Sequence, residues 1–300
     1  MAEDSPEYEG PDPEDVDPPD VEPPDDWYEG GDDEGGERQF IHWPRDPQLD
    51  PAKADLAEWF KNNPTGVFYG RQIEVIFEKR YFHWITHKAL KELTNENNSL
   101  IESEVRTTAG GNKLRIYWSK RNRYPRRAAQ ELVRQVDAHS IPDITRAIGH
   151  HAETLFGFAA AREGFTVDGP AIRSYQGKEW SMTEHDLDWI FSRDGIGWGV
   201  EIKNTWAYID RQEMEIKIKM CLYLGIKPLF IMRWAPKSYI EIIRQAGGFC
   251  LVFEFQYFPI GHTDAMDRLK ALSLPVISPT SVPPGVFKRF AKWHEGGLGR

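Results

Sequence analysis

Asp188 and the triplet Glu201-Ile202-Lys203 are the residues of this chain whose types and spacing could do chemistry. Two carboxylates and an ammonium converging at a sheet edge suit metal-assisted phosphodiester cleavage. The carboxylates supply hard oxygen ligands for Mg²⁺, with Mn²⁺ as a second choice. Such a cation polarises a phosphate and lowers the pKa of a bound water. The lysine can orient that water or offset charge developing in the transition state.

Two short strands must position these groups. The segment from His185 to Thr205 reads HDLDWIFSRDGIGWGVEIKNT. Leu187 to Phe191 is apolar apart from Asp188, Arg193-Asp194-Gly195 supplies a turn, and Gly197 to Ile202 leads into Lys203. A strand points residues i and i+2 to one face, so Glu201 and Lys203 project together. An adjacent antiparallel strand then lays Asp188 beside Glu201. Asp186 is a rival for Asp188 because it shares that face, and Asp188 is preferred for the apolar residues that follow it. A second Glu-x-Lys triplet, Glu215-Ile216-Lys217, falls in a predicted helix; Lys217 and Lys219 could line a DNA groove near the site, but a solvated helix face is the preferred reading.

At these residues the chain resembles the PD-(D/E)xK nuclease superfamily, closest to the branch of archaeal Holliday-junction resolvases and restriction-type endonucleases. The resemblance spans roughly residues 142–258. It rests on a helix bearing Glu153 (GHHAETLFGFAAAREGF), a hairpin bearing Asp188, and Glu201-Ile202-Lys203 at a strand end. The family's Pro-Asp dipeptide is replaced by Leu187-Asp188. The resemblance implies a restriction-endonuclease-like mixed α/β sheet flanked by helices, in α-β-β-β-α-β order. It also implies a Mg²⁺-dependent DNA endonuclease. Asp188, Glu201 and the Ile202 carbonyl would hold the metal, Glu153 would bind through water or hold a second metal, and Lys203 would position the nucleophile. His150 and His151 read as cap or surface residues.

Residues 50–120 carry a second pattern. Helices are predicted over Asp55 to Asn63 and Tyr81 to Glu96, with a short helix or strand over Arg71 to Glu78. Strands over Leu100 to Arg106 and Lys113 to Trp118 flank a Gly110-Gly111 tip that reads as flexible. Helices followed by a β-hairpin resemble a winged helix-turn-helix, used for DNA or for protein contacts. In the DNA reading His83, Thr86, His87 and Lys91 face a groove, and Arg106 and Lys113 flank the wing tip. A basic linker over residues 121–141 follows, with Arg121, Arg123, Arg126 and Arg127 as phosphate contacts. Tyr117, Trp118 and Tyr124 interleave with the cations of this region, and aromatic rings can stack on bases.

Charge and composition bound the rest. Residues 1–37 hold 17 acidic residues and no lysine or arginine, while the whole chain carries −10; the remainder is therefore at +7. The leader, taken as residues 1–45, is expected to be a disordered tail, either solubilising or a DNA mimic. The basic body suits a polyanionic partner, DNA. Cys221 and Cys250 are expected to be buried and reduced. No membrane span, secretory signal or Walker-type phosphate loop is present, so the expectation is a cytoplasmic protein without a nucleotide cofactor. A homodimer is compatible with this reading. Residues 261–300 are expected to form a helical extension, with Phe287, Phe290 and Trp293 on the core. The rival to the enzyme is a DNA-binding regulator with a catalytically silent nuclease-like domain.

Overall fold

The computed structural model describes residues 45–297; the acidic tail lies outside the described residues. The fold is mixed α/β with mixed sheets. The N-terminal part runs α1 (Leu49–Asn62), β1 (Val67–Tyr69), α2 (Gly70–Phe77), α3 (His83–Asn95), β2 (Ile101–Thr107) and β3 (Lys113–Ser119). The strands form an antiparallel sheet in the order β1-β3-β2. Helix α1 starts before the predicted Asp55 because Leu49 and Ala52 are also buried. The ambiguous run after Gly70 is a helix. Ile73 and Phe77, four residues apart, share its buried face and meet Phe60, Ile85, Leu90 and Tyr117 in one core. Strand β1 is too short to declare itself by alternation.

The chain continues through α4 (Pro125–His139), α5 (Pro142–Arg162), β4 (Thr166–Asp168), β5 (Ser174–Tyr175), β6 (Lys178–Glu179), β7 (Trp189–Arg193) and β8 (Ile196–Lys203). Then follow α6 (Arg211–Leu224), β9 (Lys227–Met232), α7 (Lys237–Gln245), β10 (Phe249–Val252), β11 (Gln256–Tyr257), α8 (Thr263–Ala271), β12 (Val276–Ile277) and α9 (Pro284–Gly297). The main sheet has the order β10-β9-β8-β7-β4. Strands β4, β7 and β8 pair antiparallel, whereas β8, β9 and β10 pair parallel. Strand β9 is buried on both faces. Leu229 and Ile231 enter the core that also holds Phe156, Phe287 and Phe290. Phe230 and Met232 enter the one that holds Met214, Tyr239 and Ile243. Such two-sided burial produces the continuous apolar run of KPLFIM.

Several predicted boundaries move. The run from Phe165 to Arg173 is strand only as far as Asp168, because Gly169-Pro170 follows and proline has no N–H for a ladder. The run from Gly248 to Phe258 divides into β10 and β11 at Glu254, whose φ is 65°. Phe287 and Phe290 are buried, but Trp293 is 41% exposed even though its ring meets those of Trp198 and Phe249. Cys221 is buried and Cys250 half-buried; both are free.

The segment expected to be a basic linker is a turn followed by helix α4. Ala129 and Leu132 of α4 are buried in a core shared with Tyr69, Ile116 and Trp118 on one side and with Ile148, Phe258 and Met266 on the other. The tip of the β2–β3 hairpin, expected to be flexible, is tied to this helix, since Gly110 N–H donates to Asp137 Oδ1 at 3.1 Å. A buried ion pair adds to the join. Arg233, just beyond β9, donates from Nη1 and Nη2 to the two oxygens of Glu78, just beyond α2, at 2.7 and 2.6 Å. Its Nε donates to Thr205 O at 3.0 Å.

Candidate active site

The turn between β7 and β8 sets the site. Asp194 and Gly195 both take left-handed φ values, 53° and 74°, giving a two-residue turn whose twist matches the strands it joins. The resulting register puts Trp189 opposite Val200. Asp188, one residue earlier, donates its N–H to Val200 O at 3.1 Å. Its Oδ2 accepts the Ile202 N–H at 2.6 Å. Asp188 is therefore the aspartate beside Glu201 and Ile202. The rival Asp186 lies against α6, its Oδ1 3.9 Å from Lys217 Nζ and its carbonyl accepting from that ammonium.

Glu201 is 2% exposed. Its Oε1 lies 2.8 Å from Lys203 Nζ and its Oε2 2.7 Å from Lys217 Nζ. Lys203 also reaches Glu213 Oε1 at 3.0 Å. Sequence reasoning missed Lys217, which is 5% exposed rather than solvated. Its helix approaches β8 closely at Gly199, where a Cβ would come within 2.5 Å of Cys221 Sγ. One signal could have revealed it: Met214, Lys217, Cys221 and Leu224 follow helical spacing, so the lysine interrupts an apolar stripe.

Electrostatics follow from this crowding. Burial, the nearby Glu201 carboxylate and, more weakly, Glu153 push the Asp188 carboxyl up to about 7, against the Ile202 N–H and Lys217. Burial alone would lower the Lys203 ammonium, but Glu201 and Glu213 more than offset this and hold it raised. Glu153 projects from α5, its Oε2 3.6 Å from His150 Nδ1. The neighbouring His151 Nε2 meets Pro279 O at 3.2 Å. The start of α5 is pinned by Asn204, which follows Lys203. Its Nδ2 donates to Ile148 O at 2.9 Å and Tyr257 O at 2.8 Å, and its Oδ1 accepts the Tyr257 N–H at 2.8 Å.

A carboxyl raised this way keeps its proton in the folded chain after losing it in the unfolded one. Asp188 therefore favours folding at low pH, and that contribution is lost as pH rises from about 4 toward 7. A shift of about three units sets a ceiling of roughly 4 kcal/mol. Solvent access at this half-buried carboxyl reduces the expected effect to about 2 kcal/mol. Asp188→Asn should thus stabilise the cation-free protein at pH 8 and leave it nearly unchanged at pH 4. Urea unfolding in EDTA at the two pH values checks this, and equal changes at both would refute the assigned electrostatics.

Among the described residues, no three His, Cys, Asp or Glu side chains form a ready-made metal-binding group. The donor chemistry of Asp188 and Glu201 nevertheless fits a hard dication, being carboxylate oxygen without thiolate. The repulsion that raises Asp188 is the kind a cation relieves. Both Glu201 oxygens face ammonium groups, so a cation there would share those oxygens with the lysines or displace one of them.

The residues expected to face DNA divide into two sets. Thr86 is 0% exposed and is withdrawn, because a buried side chain on α3 cannot reach a groove. His83 is half-buried and stacks on Tyr208 at 4.5 Å between centroids; burial lowers its pKa to about 4. It packs inward and is withdrawn as well. His87 Nδ1 lies 3.5 Å from Glu74 Oε1, and Arg106 pairs with Glu104 across one residue of β2. Lys91, Lys113, Arg121, Arg123, Arg126 and Arg127 are exposed. Tyr117 and Trp118 are 1% and 7% exposed, so neither ring is available to bases. Comparison of the chain with protein-family models, curated proteins and solved structures found no match.

Proposed function

We propose that this protein is a metal-dependent DNA endonuclease of the PD-(D/E)xK type with a winged-helix DNA-binding part. The observation that carries the reading is the convergence of Asp188, Glu201 and Lys203 at one end of β8, with Asp188 raised to about 7 by burial and its neighbouring carboxylates. The order α5-β4-β7-β8-α6-β9-α7-β10, with the small β5-β6 hairpin inserted after β4, supports the nuclease core, and α1-β1-α2-α3-β2-β3 supports the winged helix.

Asp188, Glu201 and the Ile202 carbonyl would hold Mg²⁺ or Mn²⁺. The bound cation would polarise the scissile phosphate and lower the pKa of a nearby water. Lys203 would exchange its contact with Glu201 for that water, orient it and offset charge on the phosphoryl oxygens. Glu153 reaches the site through water. Lys217, anchored on the Asp186 carbonyl, keeps Glu201 oriented while Lys203 is engaged. The exposed cations from Lys113 to Arg127 contact phosphates.

Plasmid nicking tests this directly. Mg²⁺ or Mn²⁺ should support cleavage, Ca²⁺ should occupy the site without turnover because it accepts looser coordination, and EDTA should abolish the reaction. Cleavage undiminished in EDTA would reject the metal mechanism. DNA binding without cleavage under any of these cations would favour the regulator, a reading to which the double lysine hold on Glu201 lends weight.

A further inference from the structure

We propose that Tyr124 and the arginines around it form a stacking site for unpaired bases, so that the nucleic acid bound here carries a single-stranded or unpaired segment. The inference rests on the nucleic-acid partner of the preceding reading and narrows its class.

Tyr124 is 83% exposed, more than any other large apolar side chain among the described residues. An exposed ring can be incidental on a loose loop, but this one is held. Asn122 Oδ1 accepts the Tyr124 N–H at 3.0 Å, and Asn122 Nδ2 donates to Thr65 O at 2.9 Å. The Asn122 N–H donates to Ser119 O at 2.8 Å and the Arg121 N–H to Ser119 Oγ at 3.3 Å. Pro125 then fixes the backbone at the first position of α4. The fold thus fixes the backbone that carries an aromatic ring into water.

The surrounding charge selects the partner. Lys120, Arg121, Arg123, Arg126 and Arg127 are all exposed. None of the ion pairs among the described residues includes them. Arg126 and Arg127 also lie in the first turn of α4, which has no acidic residue. Cations there oppose the helix dipole, whose N-terminal end favours negative charge. An anion at this turn would relieve both tensions. A nucleic-acid strand offers phosphates to the arginines and a π-face to the ring. In a duplex the interior bases already stack on one another on both faces, so along a strand it is an unpaired base that can cover Tyr124.

The test is binding by fluorescence anisotropy in EDTA, with the full chain and three probes: an oligothymidine of about 20 nucleotides, the matching oligouridine, and a blunt duplex of similar length. Tyr124→Ala should weaken oligothymidine binding roughly tenfold, from the ~1–3 kcal/mol lost per stacked base, and change duplex binding less than about twofold. Tyr124→Trp should restore it. The oligouridine probe decides whether RNA is accepted as well as DNA; a loss on oligothymidine, alone or shared with oligouridine, supports the site. If wild type binds DNA and Tyr124→Ala binds oligothymidine equally well, or weakens duplex just as much, the stacking site is overturned while the nuclease reading stands. If wild type binds none of the probes, both fail. The exposure of Tyr124 makes misfolding of the variant easy to exclude by its unfolding curve.

Discussion

Replacing Asp188 or Glu201 with alanine is expected to abolish DNA cleavage while leaving DNA affinity in EDTA close to wild type. In the proposed mechanism each carboxylate would supply oxygen ligands, and the nearby carboxylates are already engaged: Asp186 faces Lys217, and Glu213 pairs with Lys203. The affinity should persist because the exposed cations from Lys113 to Arg127 belong to other elements. Lys203→Ala should lose roughly 10²-fold or more in rate, the typical cost of one charge-stabilising donor. Single-turnover cleavage of labelled DNA measures these losses. Wild-type rates in Asp188→Ala or Glu201→Ala would remove the assignment.

Breaking the Arg233–Glu78 pair is expected to have the largest effect on stability. Arg233 is 1% exposed and Glu78 5% at the side chain, and both N–H···O contacts are short. The guanidinium also lies 5.1 Å from the Trp206 ring centroid. Removing one partner strands a buried charge, which costs about 3–5 kcal/mol. Arg233→Met should show that loss in urea unfolding. Arg233→Met combined with Glu78→Leu should recover much of it, because the uncompensated charge is then gone. A cost below about 1 kcal/mol for the single replacement would mean the pair is already neutralised by water or relaxation. The same pair fixes the N-terminal part against the loop that leads from β8 to α6, so its loss should also reduce cleavage.

The hairpin of the candidate site was legible in the sequence because its signals are local. Asp194-Gly195 dictates a tight turn, and alternation places Glu201 and Lys203 on one face. The choice between Asp186 and Asp188 was less legible, since both satisfy the same alternation. The structure separates them through the Ile202 N–H, which reaches only Asp188. Helix α3 failed differently. Its amphipathic pattern is real, but Thr86 and His83 lie on the inner side of it, and the Tyr208 ring that covers His83 is far away in sequence.

Local pattern along the chain set the helices and strands with strong periodicity, the charge contrast between the acidic leader and the basic body, and the residues of the Asp188–Glu201 hairpin. Those properties depend on neighbours a few positions apart. Tertiary structure alone decided that Lys217 enters the site, that the basic segment is a turn and a packed helix, and that Tyr124 is the exposed ring among three candidates. The first two depend on contact between segments distant in sequence, α6 against the glycine gap of β8 and α4 wedged into a shared core, and the turn that carries Tyr124 is tied to Thr65 through Asn122. A lysine, an arginine or a tyrosine reads as surface in a linear pattern, because its polar end is satisfied by water in most settings. Only the packed chain shows where a carboxylate, a carbonyl or a ring has replaced that water, and where nothing has.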